Sequence, residues 1–354
     1  MRKVTIHWKR ASEILDLLMK AYHAKAYPYD FAKEPQRPEN LPKGLKWGSR
    51  QHACLLFCFC YYMRGKIDSE TAIIYLARIW EKYPEIFDPA EFALPLLSEE
   101  KEKKVFDILC GNGLNFNAKQ TAEHWVKNFH KIHRFWDSNP VNLFRSAATY
   151  QELCARLISS KKRASDPNGF FGFREKMVSM LGHFYADAGI VGRLRFKMPS
   201  PIDFHLLRIF MMHDAFSVEG LSPDDNHCIP EVLDALREIT VDYAKKAGEK
   251  SIDISAALWL LSSTLCFQNP GNRSVIGEYK ARGTEVTMWK PCWSETEMSR
   301  YRRSCGRCPL SATCSWNVAS GYYYLLGKAF RVPKRRPPGL FFAEDLFGPK
   351  HITA

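Results

Sequence analysis

Three cysteines near the end of the chain are spaced for chemistry. In Cys305-Gly-Arg-Cys308-Pro-Leu-Ser-Ala-Thr-Cys314 the first two stand two residues apart and can turn their thiolates onto one metal centre. The third follows five residues later and reaches back from a short helix. Thiolate sulfur is a soft ligand that suits an iron–sulfur cluster or zinc. A fourth ligand is required, and two cysteines compete for the place. Cys266 closes a helix over 254–265, and Cys292 lies twelve intervening residues before Cys305. The other cysteines, Cys54, Cys58, Cys60, Cys110, Cys154 and Cys228, sit in apolar or scattered contexts that core packing explains. Lys290, Arg300, Arg302, Arg303 and Arg307 outnumber Glu295 and Glu297 around the cluster, with Trp289, Trp293 and Trp316 interleaved. A basic, aromatic face beside a rigid metal knot suits a loop that grips phosphates.

The elements that must hold these residues read as helices. Residues 49–63 are helical in pattern, and Asp68 is a plausible cap for a helix carrying Ile73, Leu76, Trp80 and Tyr83 at spacings of three and four. Over 117–136, Ala118, Ala122, Trp125, Phe129, Ile132 and Trp136 fall on one face. Further helices are expected over 143–160, 175–188, 203–212, 230–246 and 254–266, with no convincing strand alternation. Residues 1–48 read as mixed, their later part broken by Pro28, Pro35, Pro38 and Pro42. The expectation is an all-α protein of two helical lobes. An N-terminal segment over 1–48 packs with the C-terminal lobe. A helical bundle follows over 49–188, then a second lobe over 189–330 that carries the cysteines between 266 and 314. A basic, proline-rich tail occupies 331–354.

Composition narrows the partner. The 354 residues carry 51 Lys and Arg against 38 Asp and Glu, a formal net charge of +13, and 13% of them are aromatic. Such an excess favours an anionic partner: nucleic acid, an acidic membrane surface or an acidic protein. The longest apolar run, ACLLFCFCYYM over 53–63, falls short of the roughly 20 residues that span a bilayer. The basic start MRKVTIHWKR leads into no apolar signal core. A soluble, intracellular protein without membrane association is expected, with free thiols and a metal site rather than disulfides.

Gly172-Phe-Arg-Glu-Lys176, followed by Pro199-Ser-Pro-Ile-Asp203-Phe-His-Leu-Leu-Arg208, resembles the core of the helix-hairpin-helix DNA glycosylases. The order of motifs agrees along residues 49–316. Gly113-Leu-Asn-Phe-Asn-Ala-Lys119 resembles the family's glycine turn into the helix before the hairpin. The stretch 258–266 (LWLLSSTLC) resembles its last helix, running into the first cluster cysteine. The spacing Cys305-x2-Cys308-x5-Cys314 matches the last three cluster ligands of the endonuclease III branch. There are departures. Arg174 stands where the hairpin usually has its second glycine, although Gly169 precedes it, and Asn272 stands near the place of the second cluster ligand. The interval from Lys176 to Asp203 is long, closer to the archaeal 8-oxoguanine glycosylases, which lack the cluster.

The resemblance implies a hairpin near 167–176 and an active site in the cleft between the lobes. It implies a DNA base-excision glycosylase that extrudes a damaged or modified base from duplex DNA and cleaves its N-glycosidic bond. Asp203 would stabilise the positive charge that develops on the sugar. Lys176 would attack C1′ and form a Schiff base, making the enzyme a glycosylase and lyase. Taken singly, Lys176 is an ordinary lysine at a helix start and Asp203 an ordinary helix cap; placed together after a hairpin and before a thiolate cluster, they read as a catalytic pair. Backbone amides around Gly169, Gly172 and Arg174 would hold a phosphate at the next helix N-terminus. Tyr62, Met63 and Arg64 occupy the loop expected to fill the vacated base stack, and Phe204 and His205 the pocket mouth. Arg300, Arg302, Arg303 and Arg307 would grip the backbone. The cofactor implied is a [4Fe–4S] cluster, with zinc as the alternative. The partner is double-stranded DNA bearing the lesion, bound by a monomer in the cytoplasm, nucleoid or nucleus. A non-catalytic nucleic-acid-binding protein that keeps the fold and the cluster is the competing expectation.

Overall fold

The computed structural model describes residues 2–32, 34, 36–62, 69–92, 99–115, 117–159, 165–192, 194, 196–220, 229–267, 275–281, 284–289, 306–314 and 324–325. Helices dominate them, as the periodicity requires. They are α1 (Trp8–His23), α2 (Arg50–Tyr62), α3 (Ser69–Lys82), α4 (Glu99–Gly111), α5 (Ala118–Phe135), α6 (Val141–Arg145), α7 (Tyr150–Ile158), α8 (Glu175–Asp187), α9 (Phe204–Met212), α10 (Pro230–Ala247) and α11 (Ser251–Leu260). The last of these runs into a π-helical turn over Leu261–Phe267. No described helix is long and apolar enough to cross a membrane.

Among the described residues five short strands add to the helices and leave the all-α class standing. β1 (Lys3–Ile6) pairs antiparallel with β2 (Phe216–Glu219), Lys3 opposite Glu219 and Ile6 opposite Phe216. β3 (Val275–Ala281), β4 (Thr284–Trp289) and β5 (Tyr324–Leu325) form an antiparallel sheet in that order. The β3–β4 pair has a register irregularity between Val275 and Gly277. In β4, Glu285 and Thr287 alternate with Val286 and Met288, the period of two that a strand demands.

The chain packs as two units, Glu34–Pro201 and a second one formed by both ends, Met1–Lys33 with Ile202–Ala354. In the middle unit α2 is apolar all round, and Ala53 to Cys60 are all buried, so it runs through the core. Rings from α2, α5 and the loop before α8 meet there. Phe57 lies 6.1 Å from Phe129, 5.9 Å from Phe170 and 4.9 Å from Phe173. Two polar aromatics are satisfied in place: Trp125 Nε1–H donates to the Ile86 carbonyl (2.7 Å) and Tyr185 O–H to the Ala53 carbonyl (2.8 Å). The segments flanking this bundle belong to it. Arg37 pairs with Asp187 at 3.5 Å. At the far end Met198 covers Gly182 of α8, and its terminal methyl leaves no room there for a Cβ.

In the terminal unit α1 supplies Ala11, Ile14, Leu15 and Leu18, a fully buried stripe at helical spacing. It packs against α10 and α11. Tyr243 of α10 donates to Asp16 of α1 (2.7 Å), and Tyr29, just beyond α1, donates to the carbonyl of Ala257 in α11 (2.8 Å). Pro230 opens α10 and Gly248, at φ +72°, ends it, the usual asymmetry of helix termini.

Candidate functional site

The loop before α8 is held from three sides. Its glycines adopt the left-handed conformation that the turn needs, Gly169 at φ +75° and Gly172 at φ +85°. From α7, the carbonyls of Arg156 and Leu157 accept the amides of Gly169 (2.7 Å) and Phe170 (2.8 Å). From α5, the ammonium of Lys131 donates to the carbonyls of Asn168 (2.7 Å) and Gly169 (2.8 Å). Asn128 brackets Phe171: its Nδ2 donates to the Phe171 carbonyl (2.9 Å) and its Oδ1 accepts the Phe171 amide (2.7 Å). His124 stacks on the Phe171 ring at 5.3 Å, and the Lys127 ammonium sits 5.5 Å from that ring. From inside, Phe170 and Phe173 are buried beside Phe57.

This geometry narrows the phosphate site expected of the hairpin. The amides of Gly169, Phe170 and Phe171 are all bonded within the protein. Gly172 is itself buried and Arg174, in extended conformation, is the exposed residue that opens α8. Lys176 is the second residue of α8 and is half-buried, and the residues that follow it, Met177 to Tyr185, are all buried. Its charge reaches α2: burial pushes the Cys60 thiol well above its ordinary range, and Lys176 opposes that rise. Behind it, Tyr150 of α7 shares a hydrogen bond with Ser179 (2.8 Å) and donates to the Glu175 carbonyl (3.3 Å), fixing the first turn.

The chain leaving α8 stays on that helix as far as the proline string. His183 donates from Nε2 to the Pro199 carbonyl (3.0 Å), and burial lowers its pKa to about 4, so the ring is neutral at pH 7. Asp203 belongs to the terminal unit. Its Oδ1 accepts the amides of His205 (2.8 Å) and Leu206 (3.3 Å), and its carbonyl accepts that of Leu207 (2.9 Å). Asp203 is therefore the N-cap of α9, its carboxylate orientation set by the helix it opens.

Other expected site residues fall differently. Tyr62 is 4% exposed and lies in the core of the middle unit, its hydroxyl without a partner among the described residues, so it is no surface wedge. An apolar residue at a helix end reads the same from sequence in either role. Met63 and Arg64 lie outside the described residues. His205 packs inside the terminal unit, its Nδ1 3.2 Å from the Ser262 hydroxyl and its ring against Trp259, as a core histidine and not a pocket rim. The side chain of Phe204 lies outside the described set.

Of the cysteines expected to ligate a metal, Cys308 and Cys314 are described, both half-buried and packed on the core of the terminal unit. One tight turn carries them, closed by the amide of Ser311 to the Cys308 carbonyl (3.0 Å) and the amide of Cys314 to the Leu310 carbonyl (3.0 Å). Leu310 is fully buried beneath the turn. Arg10 of α1 fastens the turn from outside, donating to the carbonyls of Thr313 (3.3 Å) and His213 (2.9 Å). A hydrogen bond between Thr313 and His213 (3.0 Å) completes the fastening. Two thiols on one short turn are a donor set that suits soft-metal ligation. Cys292 and Cys305 lie outside the described residues, as does the side chain of Cys266. The guanidinium of exposed Arg307 stacks over Tyr27 at 4.2 Å, while Arg300, Arg302 and Arg303 fall outside the described set.

Asn128 and Lys131 are the residues that reading the sequence overlooked. With His124 and Lys127 they form a stripe at spacings of three, one and three on α5, all facing the hairpin. The signal was a polar stripe on a helix whose opposite face is aromatic.

No family model matches the sequence, and no curated protein matches it significantly. Among solved structures the chain is similar to the 8-oxoguanine glycosylase/lyase of Methanocaldococcus jannaschii, determined in complex with 15mer DNA containing 8-oxoguanine. The identity is 15% and the TM-score 0.44, over 71% of this chain and 98% of that one.

Proposed function

We propose that the protein is a DNA base-excision glycosylase with lyase activity, using Lys176 as nucleophile and Asp203 as the carboxylate that stabilises charge on the sugar. The observation that carries the reading is the setting of Lys176. It stands in the first turn of α8, directly after a glycine hairpin fixed by α5 and α7. A nucleophile must be delivered to one sugar carbon, and a rigid support loses little orientation on doing so. The amine attacks C1′ of an extruded nucleotide, the base departs with the glycosidic electrons, and loss of the amine proton leaves an aminal that opens to a Schiff base. Asp203, whose orientation is set by the first turn of α9, is the carboxylate that this reading assigns to the developing charge. The amides from Gly172 onward and the positive end of α8 receive a backbone phosphate.

An iron–sulfur cluster fits the thiols of the 306–314 turn, with Cys305 as third ligand and Cys266 or Cys292 as fourth. When bound, such a cluster supplies a structural knot for the basic segment around it. Visible absorbance with iron and acid-labile sulfide assigns the cluster; stoichiometric zinc assigns the alternative metal.

The test is borohydride trapping on duplexes that each carry one altered nucleotide, an abasic site and 8-oxoguanine first. The wild-type chain forms a covalent adduct with at least one duplex, and Lys176→Gln forms none. Unchanged trapping by that variant refutes the role of Lys176. Tight duplex binding without adduct or base release on any substrate marks the non-catalytic binder instead.

A further inference from the structure

Lys131 is a buried cation that the proposed chemistry does not use. It is 0% exposed in the middle of an aromatic core, and Asn128, one turn earlier on α5, is equally buried. Burying an ammonium costs more than burying methionine of similar size, unless strong hydrogen bonds compensate it. Here they do. Two successive hairpin carbonyls converge on Lys131 Nζ at 2.7 and 2.8 Å, and the Phe170 ring lies 5.8 Å from it. Asn128 contributes a donor and an acceptor to Phe171, as a neighbouring strand would. Together the two side chains decide which way the peptide planes of Asn168, Gly169 and Phe171 face. Carbonyls turned inward onto α5 and amides turned back onto α7 leave the turn one conformation, and the amides that follow enter α8 from it.

We infer that Asn128 and Lys131 are positioning residues of the hairpin: they set the peptide orientations through which Gly172 and the first turn of α8 meet the DNA backbone. The inference rests on the reading of the protein as a DNA-binding glycosylase, and it separates from a packing role by one property. Neither residue reaches DNA, yet replacing either removes a phosphate contact made by other atoms.

Such contacts are made by uncharged amides, so their loss lowers affinity at every salt concentration, whereas the slope of log K against log salt counts only phosphates neutralised by Lys and Arg. The experiment measures fluorescence anisotropy of the full-length protein on a duplex with a non-cleavable abasic analogue, over about 50 to 200 mM salt. Wild type, Lys131→Met, Asn128→Ala and Asn128→Asp are compared well below their melting temperatures. Asn128→Asp is isosteric and keeps the acceptor for the Phe171 amide while losing the donor to its carbonyl, so it remains informative if Lys131→Met fails to fold. Each folded variant is expected to bind about tenfold more weakly at every salt concentration with the wild-type slope, as loss of one hydrogen bond to a charged group does. The rate of Schiff-base trapping at saturating DNA is expected to fall alongside. Folded variants that keep the wild-type affinity, however much less stable, overturn the inference and leave the enzyme reading intact. A wild-type protein with no salt-dependent affinity for duplex DNA overturns that reading, and this inference with it.

Discussion

The proposed chemistry adds a second role to Asp203, a side chain that already caps a helix, and the two roles separate by substitution. Its Oδ1 caps α9 through the amides of His205 and Leu206. Asparagine caps nearly as well as aspartate, whereas alanine caps poorly and costs about 1 kcal/mol. The proposed chemistry needs the negative charge, which asparagine lacks. Asp203→Asn is therefore expected to keep the melting temperature while base release slows by roughly 100-fold or more. Asp203→Ala is expected to lose stability as well. Single-turnover excision beside thermal melting reads both effects, and an asparagine variant of wild-type rate reduces Asp203 to a cap. At this scale the sequence is ambiguous for a physical reason. Lysine at a helix start and aspartate before one are common for local electrostatic reasons, so Lys176 and Asp203 acquired meaning only from their order beside the hairpin and the cysteines. Tyr62 shows the reverse failure: it was read as a surface wedge from its position alone, and burial decides against it.

Helices were legible because their burial is periodic. The stretch read over 117–136 is α5 over Ala118–Phe135, and that over 175–188 is α8 over Glu175–Asp187. What periodicity hides is pairing at a distance. β1 and β2 are four residues each and lie about two hundred apart, so neither shows its partner in any local window. α1 was obscured by the proline-broken segment that follows it. The contact between α8 and the 198–200 segment is of the same hidden kind, and its buried histidine predicts a dependence on pH. His183, which donates to the Pro199 carbonyl, and His52, which accepts the Gly48 amide, both have pKa values lowered by burial to about 4. Unfolded histidine titrates near 6.5, so between there and about 4 the unfolded chain binds the extra protons. Stability is then full above about 6.5 and is lost as the pH falls through that window, by up to about 3 kcal/mol per histidine. Urea unfolding at pH 7 and pH 5 checks this. His183→Gln is expected to be less stable at pH 7 but to lose less on acidification; an unaltered pH slope would clear His183 of the effect.

The whole molecule is discontinuous in sequence, one unit being made from both ends of the chain. The middle unit, Glu34–Pro201, has its own core around α2, with the aromatic cluster of Phe57, Phe129, Phe170 and Phe173 entirely inside it. The terminal unit depends on its first 33 residues. Ile14, Leu15 and Leu18 of α1 are wholly buried in it, β1 supplies the partner strand of β2, and Arg10 fastens the turn that bears Cys308 and Cys314. Removing three such aliphatic side chains from water contributes roughly 1.5 to 3 kcal/mol each, a sum comparable with the net stability of a whole domain. A fragment 34–201 is therefore expected to be helical by circular dichroism and to melt cooperatively. Fragment 202–354 is expected to show neither property, and to gain helicity when a peptide of residues 1–33 is added. The dependence is specific to α1, because the peptide with Ile14, Leu15 and Leu18 changed to serine should restore nothing. A cooperative transition in 202–354 alone would mean that α10, α11 and the cysteine turn form a sufficient core without α1.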